Sequence, residues 1–173
     1  VLGPEMRSTG EVLGLPHSYG EAFFKAQEAV QAKPPLSGTV LISVNRKDKD
    51  EVVDVARTFA ENGFHIMATK HTCQLIQEAG IEAELVKKLY EGRPNILDLI
   101  TNGKIDIVVN SPVGKDSVHD DSYLRKAAIK ARIPYYTTIA AAKAAAEGIH
   151  YIKNHGSSEV QSIQELHSEI RDK

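Results

Sequence analysis

Short apolar runs alternate with helical patterns along most of this chain of 173 residues. Each run is followed by a segment in which apolar residues recur three and four positions apart, as on one face of a helix. The runs are Thr39–Ile42, Phe64–Ala68, Ala83–Val86, Ile105–Val109 and Tyr135–Tyr136. Nearly continuous apolar strands that alternate with helices are typical of a parallel sheet covered on both faces. The sequence therefore predicts a three-layer α/β/α fold around a central five-stranded parallel sheet.

Capping and turn residues predict where the helices begin and end. Ser18 with Glu21 predicts a capping box for a helix that ends at Lys33, before two prolines. That helix has an apolar face without a local partner, so it belongs to a neighbouring domain or docks on the α/β unit. Asp48 is expected to cap a helix by its side chain. The last core helix, over residues 139–147, is expected to end at Gly148.

Composition limits the class of protein. Hydrophobic residues make up 42% and charged residues 25%, which is typical of a globular chain. The net charge of −2 gives no support for nucleic-acid binding, and no apolar run has membrane length. The single cysteine, Cys73, excludes an internal disulfide and reads as a buried thiol. We expect a cytoplasmic protein, and the first residue, Val1, suggests a piece of a longer one.

Polar and cationic side chains follow the predicted strands. Eight of the 21 Lys and Arg residues lie in these loops: Arg46, Lys47, Lys49, Lys70, Lys87, Lys88, Arg93 and Lys115. In an open parallel sheet, ligands bind outside the carboxyl ends of the strands. The local positive charge therefore predicts a pocket for a small anion rather than for a polymer.

Cations at helix starts strengthen this prediction. Lys49 begins one predicted helix, and Lys70 and His71 begin another, where the helix dipole disfavours a cation by up to about 1 kcal/mol unless an anion is present. Solvent-screened surface lysines are the alternative. Arg93 could contact an anion or pair with Glu91.

His119-Asp120 is a further candidate. The pair resembles a catalytic acid–base pair, although Asp120 or Asp121 could equally cap the following helix.

Two stretches resemble the large subunit of carbamoyl phosphate synthetase. Residues Gly3–Val12, GPEMRSTGEV, resemble the closing segment of its second ATP-grasp synthetase unit, and Val160–His167 resembles the end of the subunit. Residues 38–149 resemble its C-terminal regulatory domain, which has the methylglyoxal synthase-like fold. The landmarks are Ser43, Asp48-Lys49, Gly63-Phe64, Ala68-Thr69, Thr72, the run Glu91–Asn95, Asn110 and Thr137-Thr138.

The resemblance implies three parts, a nucleotide site and, at the domain boundary, a contact to ornithine. Residues 1–37 would be the end of the synthetase unit with a linker helix, 38–153 the effector-binding domain and 154–173 a C-terminal helix. The implied effector-binding residues are Ser43, Lys49, Thr69, Thr72, Lys88, Arg93, Asn110, Ser111 and Thr137. In that family the effectors are uridylate, inosinate and ornithine, with Thr137 at the ornithine position. His71, in place of a glycine, and Pro112 depart from the family's pattern.

The resemblance also implies partners and cofactors. This segment would need no cofactor or metal, whereas the parent enzyme would use ATP, Mg and K. The partners would be the rest of the large subunit, a glutaminase small subunit and possible further copies of this chain. The alternative is a methylglyoxal synthase-type lyase acting on dihydroxyacetone phosphate, but Gly92-Arg93-Pro94 stands where that enzyme has its carboxylate base. A third alternative is an interaction domain whose pocket takes no ligand.

Overall fold

A computed structural model describes residues 10–14, 18–30, 32–111 and 115–156, together with 162, 164, 165, 167 and 168. The strands are β1 (Gly38–Ser43), β2 (Phe64–Thr69), β3 (Glu84–Val86), β4 (Ile107–Asn110) and β5 (Tyr135–Tyr136). The helices are α1 (Tyr19–Ala29), α2 (Lys49–Glu61), α3 (Lys70–Glu78), α4 (Ile96–Thr101), α5 (Lys115–Lys130) and α6 (Ile139–His155). None of the helices in these residues is long and apolar enough to cross a membrane. Residues 1–9, Pro112 and most of the predicted C-terminal helix lie outside the described residues.

The five strands form one parallel sheet in the order β3-β2-β1-β4-β5. This confirms the predicted fold class. The register pairs Ser43 of β1 with Asn110 of β4, and Thr69 of β2 with Val86 of β3. The carboxyl ends of β1, β2 and β4 therefore lie side by side. β4 begins at Ile107, two residues later than expected, and the Asp106 carboxylate just before it accepts the backbone N–H of Thr39 at 2.7 Å.

Helices cover both faces of the sheet, each over its own core. The larger core lies under α1, α2, α3 and α6 and includes Phe24, Phe59, Ile76 and Ile149. The smaller core lies under α4 and α5 and is built around Leu41 and neighbouring apolar side chains. The central strands are buried on both faces because each core takes alternate residues of the same strand.

Helix α1 docks on α6, the second of the two alternatives for this segment. Gly20 and Gly148 let the two helices approach closely, since a Cβ on Gly148 would meet the carbonyl oxygen of Gly20 and lie 2.9 Å from Cβ of Phe24. The prediction that α6 ends at Gly148 was wrong: the helix continues to His155. Gly148 serves the contact between helices rather than the end of one. α1 itself ends at Ala29, before the predicted Lys33.

Two predicted caps also differ. Asp48 precedes α2, but its side chain makes no capping hydrogen bond. Its carboxylate instead accepts the Asn45 side-chain amide at 2.8 Å. Ser18 does cap α1 by accepting the N–H of Glu21 at 3.3 Å, while the Glu21 carboxylate is buried beside Lys25. In both cases the carboxylate, of Asp48 or of Glu21, contacts another side chain instead of the backbone N–H groups at the start of the helix.

Candidate functional site

A cluster of hydroxyl groups lies where β1, β2 and β4 end. The Thr69 hydroxyl donates to Ser43 Oγ at 3.3 Å, and the backbone N–H of Ser111 donates to the Ser43 carbonyl at 3.0 Å. Thr69 and Ser111 are buried and Ser43 is half-buried. The structure therefore brings three predicted site residues together at the centre of the sheet edge. We call Ser43, Thr69, Thr72 and Ser111 the hydroxyl cluster.

Thr72 joins the cluster from the first turn of α3. Its Oγ1 accepts the backbone N–H of Val44, just after β1, at 3.4 Å, and the side chain is buried. α3 begins directly after β2, and the Thr69 side chain makes no capping hydrogen bond to it. The first N–H groups of a helix attract anions when they are not capped from within the chain. Helix start and hydroxyl groups thus face the same edge of the sheet.

Asn45 ties the loop after β1 to the end of β4, a role that the sequence analysis missed. Its backbone N–H and its side-chain amide both donate to Ser111 Oγ, at 3.2 and 3.3 Å. Its Oδ1 accepts the N–H of Lys47 at 2.6 Å. Its place directly after a predicted strand was the available signal. The loop that leads into α2, whose first residue is Lys49, is consequently fixed to the hydroxyl cluster.

The predicted cations stand around this edge with different degrees of exposure. Lys49 is the first residue of α2 and is half-buried, and Lys88, in the loop after β3, is also half-buried. Lys70 and His71 start α3, as predicted, and are exposed. A direct role of Lys49 and Lys88 in anion binding stays a prediction.

Asn110, at the end of β4, turns toward β5. Its side-chain amide donates to the Tyr135 hydroxyl at 2.6 Å. The Arg125 guanidinium lies over the Tyr135 ring, 5.7 Å from its centroid. The sequence analysis named neither Tyr135 nor Arg125 as a functional residue, because nothing in the chain order shows that α5 packs over β5.

Arg93 pairs with Asp98 rather than with Glu91. Its Nε lies 3.1 Å from both carboxylate oxygens, and its terminal nitrogen also contacts Asp98. Asp98 also closes the capping box of α4 by accepting the N–H of Asn95 at 3.0 Å. Hydrogen bonds from Arg93 and Asn95 hold the pKa of Asp98 below its usual value. The Arg93 side chain is 81% exposed, so an ion pair already fixes it at the surface.

Thr137 lies away from the hydroxyl cluster, in a groove of about 700 Å³ beside β5. The groove runs along the outermost strand, between the end of α1 and the end of α5. Its lining includes Val30, Lys33, Arg125, Arg132, Tyr135 and Thr137. We call it the Thr137 groove. Among the predicted effector residues, Thr137 is thus separate from the hydroxyl cluster.

The remaining candidates are the Cys73 thiol, a metal site and the His119-Asp120 pair. Cys73 is buried with Sγ 3.6 Å from the Ala83 carbonyl oxygen, and burial raises the pKa of its thiol. This matches the buried-thiol interpretation. Within the part of the chain that the structure describes, no group of three His, Cys, Asp or Glu could hold a metal ion. The side chains of His119 and Asp120 lie outside the described residues.

Comparison with known families identifies the fold family. Residues 51–137, half of the chain, match the MGS-like domain. The chain belongs to the MGS-like domain family. Among solved structures, ForH and AibC align with TM-scores of 0.34 and 0.37 at 19% and 16% identity, covering 69% and 86% of this chain and 95% and 53% of theirs. Those TM-scores are too low to carry an argument.

This MGS-like domain is also similar to carbamoyl phosphate synthase large chains, as the resemblance indicated. It is 47% identical to the C-terminal section of that chain from Methanopyrus kandleri, over 96% of this chain and 31% of the relative. It is 52% identical to the large chain from Acidobacterium capsulatum, over 86% of this chain and 14% of the relative. The large chain from Archaeoglobus fulgidus is 47% identical, over 98% of this chain and 16% of the relative. This chain therefore spans less than a third of the length of these relatives.

Proposed function

We propose that this MGS-like domain is the effector-binding, regulatory part of a carbamoyl phosphate synthase large chain. It binds a small anionic effector of the uridylate or inosinate type at the carboxyl edge of the sheet. Binding regulates ATP-dependent carbamoyl phosphate synthesis for pyrimidine and arginine formation. The observation that carries the proposal is the hydroxyl cluster of Ser43, Thr69, Thr72 and Ser111 beside the start of α3.

The cluster suits a phosphate group for two reasons. Phosphate oxygens are hydrogen-bond acceptors and therefore need donors around them. Hydroxyl groups and the first N–H groups of a helix supply such donors without a buried charge. Lys49, at the start of α2, and Lys88, in the loop after β3, are both half-buried and supply positive charge. Asn110 would meet the remainder of the nucleotide from the end of β4. Arg93 would contact the effector from the surface, where it is already paired with Asp98.

The lyase alternative lacks a suitable base in the loop after β3. The Glu91 carboxylate there accepts the N–H of Lys88 at 2.8 Å, and Asp98 is engaged by Arg93 and Asn95. A general base works best with a pKa near the working pH, whereas the pKa of Asp98 is lowered. We therefore propose that this domain performs no chemistry itself. Methylglyoxal formation from dihydroxyacetone phosphate by the 173-residue chain would contradict this.

The longer protein supplies the other partners in this proposal. ATP, Mg and K would act in the preceding synthetase units, and a glutaminase small subunit would complete a cytoplasmic enzyme. Ornithine, if it binds, would do so at Thr137. The Thr137 groove carries Lys33, Arg125 and Arg132, so the acidic groups that the ornithine ammonium requires would come from the preceding unit.

Calorimetric titration of the chain tests the proposal directly. Uridylate, inosinate, ornithine and inorganic phosphate are titrated separately. Saturable binding of a nucleotide, weakened by excess phosphate, supports a phosphate site at the hydroxyl cluster. Absence of binding by both nucleotides would instead favour an interaction domain with no ligand.

A further inference from the structure

Helix α1 covers two buried oxygen atoms that lack a hydrogen-bond partner. They are Glu21 Oε2 and Tyr136 Oη, the buried side-chain atoms without a partner in the part of the chain that is described. Glu21 belongs to α1, and the Tyr136 ring lies 6.1 Å from the ring of Phe23, also on α1. A buried polar atom without a partner lowers the stability of the folded state, because it has lost its hydrogen bonds to water. Among the described residues, the buried polar atoms that lack a hydrogen bond therefore lie beneath α1.

Burial of Glu21 destabilises the docked helix more than burial of the Tyr136 hydroxyl does, because a carboxylate carries a charge. Its partners, in contrast, reach solvent. Its side chain is 2% exposed, whereas Lys25, with Nζ 3.7 Å from Oε1, is 26% exposed. Tyr151 on α6 is half-buried, and the pKa of its hydroxyl is raised by burial and by the nearby charge of Glu21. If α1 left α6, Glu21 would regain water and neither partner would be stranded. Burying such a charge opposes docking.

α1 also has little stability of its own. It has 11 residues and no basic residue in its last turn. Isolated helices shorter than about 12–15 residues are marginal in water. Phe24, fully buried, and the Gly20–Gly148 contact favour docking, while Glu21 opposes it. Release of α1 would therefore unfold the helix as one local unit.

The position of α1 matters because its end forms one wall of the Thr137 groove. Gln27 and Val30, with Lys33 beyond the helix, line one side, and Ile129 and Arg132 line the other. Without docked α1, this volume would be an open face of β5. The groove therefore exists only while α1 is in place.

We propose that α1 is a releasable wall of the Thr137 groove, and that buried Glu21 keeps its docking weak enough to open. A ligand that fills the groove then binds the docked state alone and draws the preceding chain toward the domain. Only this last link, to an effector at Thr137, depends on the proposed function. Release of α1 can be measured without any effector.

Hydrogen exchange on the 173-residue chain tests the proposal with a matched pair of substitutions. Glu21→Gln and Glu28→Gln remove the same charge from the same helix, but Glu28 is exposed. We expect Glu21→Gln to slow exchange of the α1 amides about tenfold, because it removes a buried charge. Glu28→Gln should change it by less than about threefold. Amides of β1 and β4 should be unchanged in both.

Unchanged or faster exchange of the α1 amides in Glu21→Gln would overturn the proposal. Glu21→Leu, which has no polar atom to bury, must slow exchange as well, and loss of the fold in both Glu21 variants would show that Glu21 stabilises docking. Nucleotide titration of the same proteins keeps the two proposals apart. A failed titration would leave the exchange result standing, and a failed exchange result would leave nucleotide binding standing.

Discussion

The hydroxyl cluster and the Thr137 groove differ in how they are held. Strand ends fix the cluster, its hydroxyls are hydrogen-bonded to neighbouring strands and loops, and its threonines are buried. The groove is exposed and cationic, and one of its walls is the marginal helix α1. The hydrogen-bond donors for a ligand in the cluster are already in position. A ligand in the groove would also have to stabilise α1 in its docked position. The first arrangement favours affinity, and the second couples binding to movement.

The largest effect is expected at the hydroxyl cluster. Lys49→Ala should weaken nucleotide binding about ten- to a hundredfold, because a charge-assisted hydrogen bond is worth about 1.5–3 kcal/mol. Adding Thr69→Ala should weaken it further. Calorimetry measures both, with circular dichroism as the check on folding. Thr137→Ala, in the other region, should leave nucleotide affinity unchanged, and a double variant as tight as the parent would mean that the cluster is not the site.

The next prediction concerns the link between the groove and the preceding chain. Replacing Pro34-Pro35 by Gly-Ser in the full-length large chain should blunt effector control of synthesis, because a flexible link transmits less of the coupling, typically about 1–3 kcal/mol. Steady-state rates with and without effector measure it. Nucleotide affinity should change by no more than the lost coupling. If the effector changes the rate as much as it does in the parent, Pro34-Pro35 does not transmit the effect.

Gly148→Ala should damage the groove and spare the cluster. The new Cβ would meet the Gly20 carbonyl oxygen and crowd Phe24, so docking of α1 should lose about 1–3 kcal/mol. Denaturant unfolding, together with exchange of the α1 amides, measures the loss. Gly10→Ala, where a Cβ meets nothing within 4 Å, is the control. Equal stability of the two variants would show that the helices do not need this close contact.

Thr72→Val should have a smaller effect, on the cluster itself. Valine keeps the shape but removes the acceptor of the Val44 N–H, so stability should fall by about 1 kcal/mol. Nucleotide affinity should fall with it. Thr101→Val, at an exposed position of α4, is the control, and denaturant unfolding is the measurement. A Thr72 variant as stable as its control would mean that a water molecule accepts the Val44 N–H in place of the threonine hydroxyl.

The smallest effect is expected at Arg93, outside both regions. The pKa of Asp98 is lowered in the folded chain from a usual value of 3.8, so its pairing with Arg93 stabilises the fold above that pH. The stabilisation is lost as pH falls through the lowered pKa. Arg93→Gln should therefore lower the melting temperature slightly at pH 7, and the gap to the parent should close below about pH 4. Exposed Arg57→Gln serves as the control, and a gap that stays constant as the pH falls below 3.8 would contradict the pairing.

Strand and helix periodicity predicted the sheet correctly because its central strands, β1 and β4, are apolar runs buried on both faces. The misplaced features depend on contacts across the fold. Gly148 lies inside α6 because distant Gly20 packs on it, and the spacing of residues along the chain does not show that contact. The separation of Thr137 from the cluster follows from the place of β5 at the edge of the sheet. Spacing along the chain carries no information on that order.

The two outermost strands are also the shortest. β3 has three residues and β5 has two, and β3 carries Glu84 paired with His65 of β2. Open strand edges are where copies of a protein add to one another and start fibres, and short, charged edges offer too few hydrogen bonds for that growth. Neither edge of this sheet therefore offers a long strand on which further copies of the chain could pair.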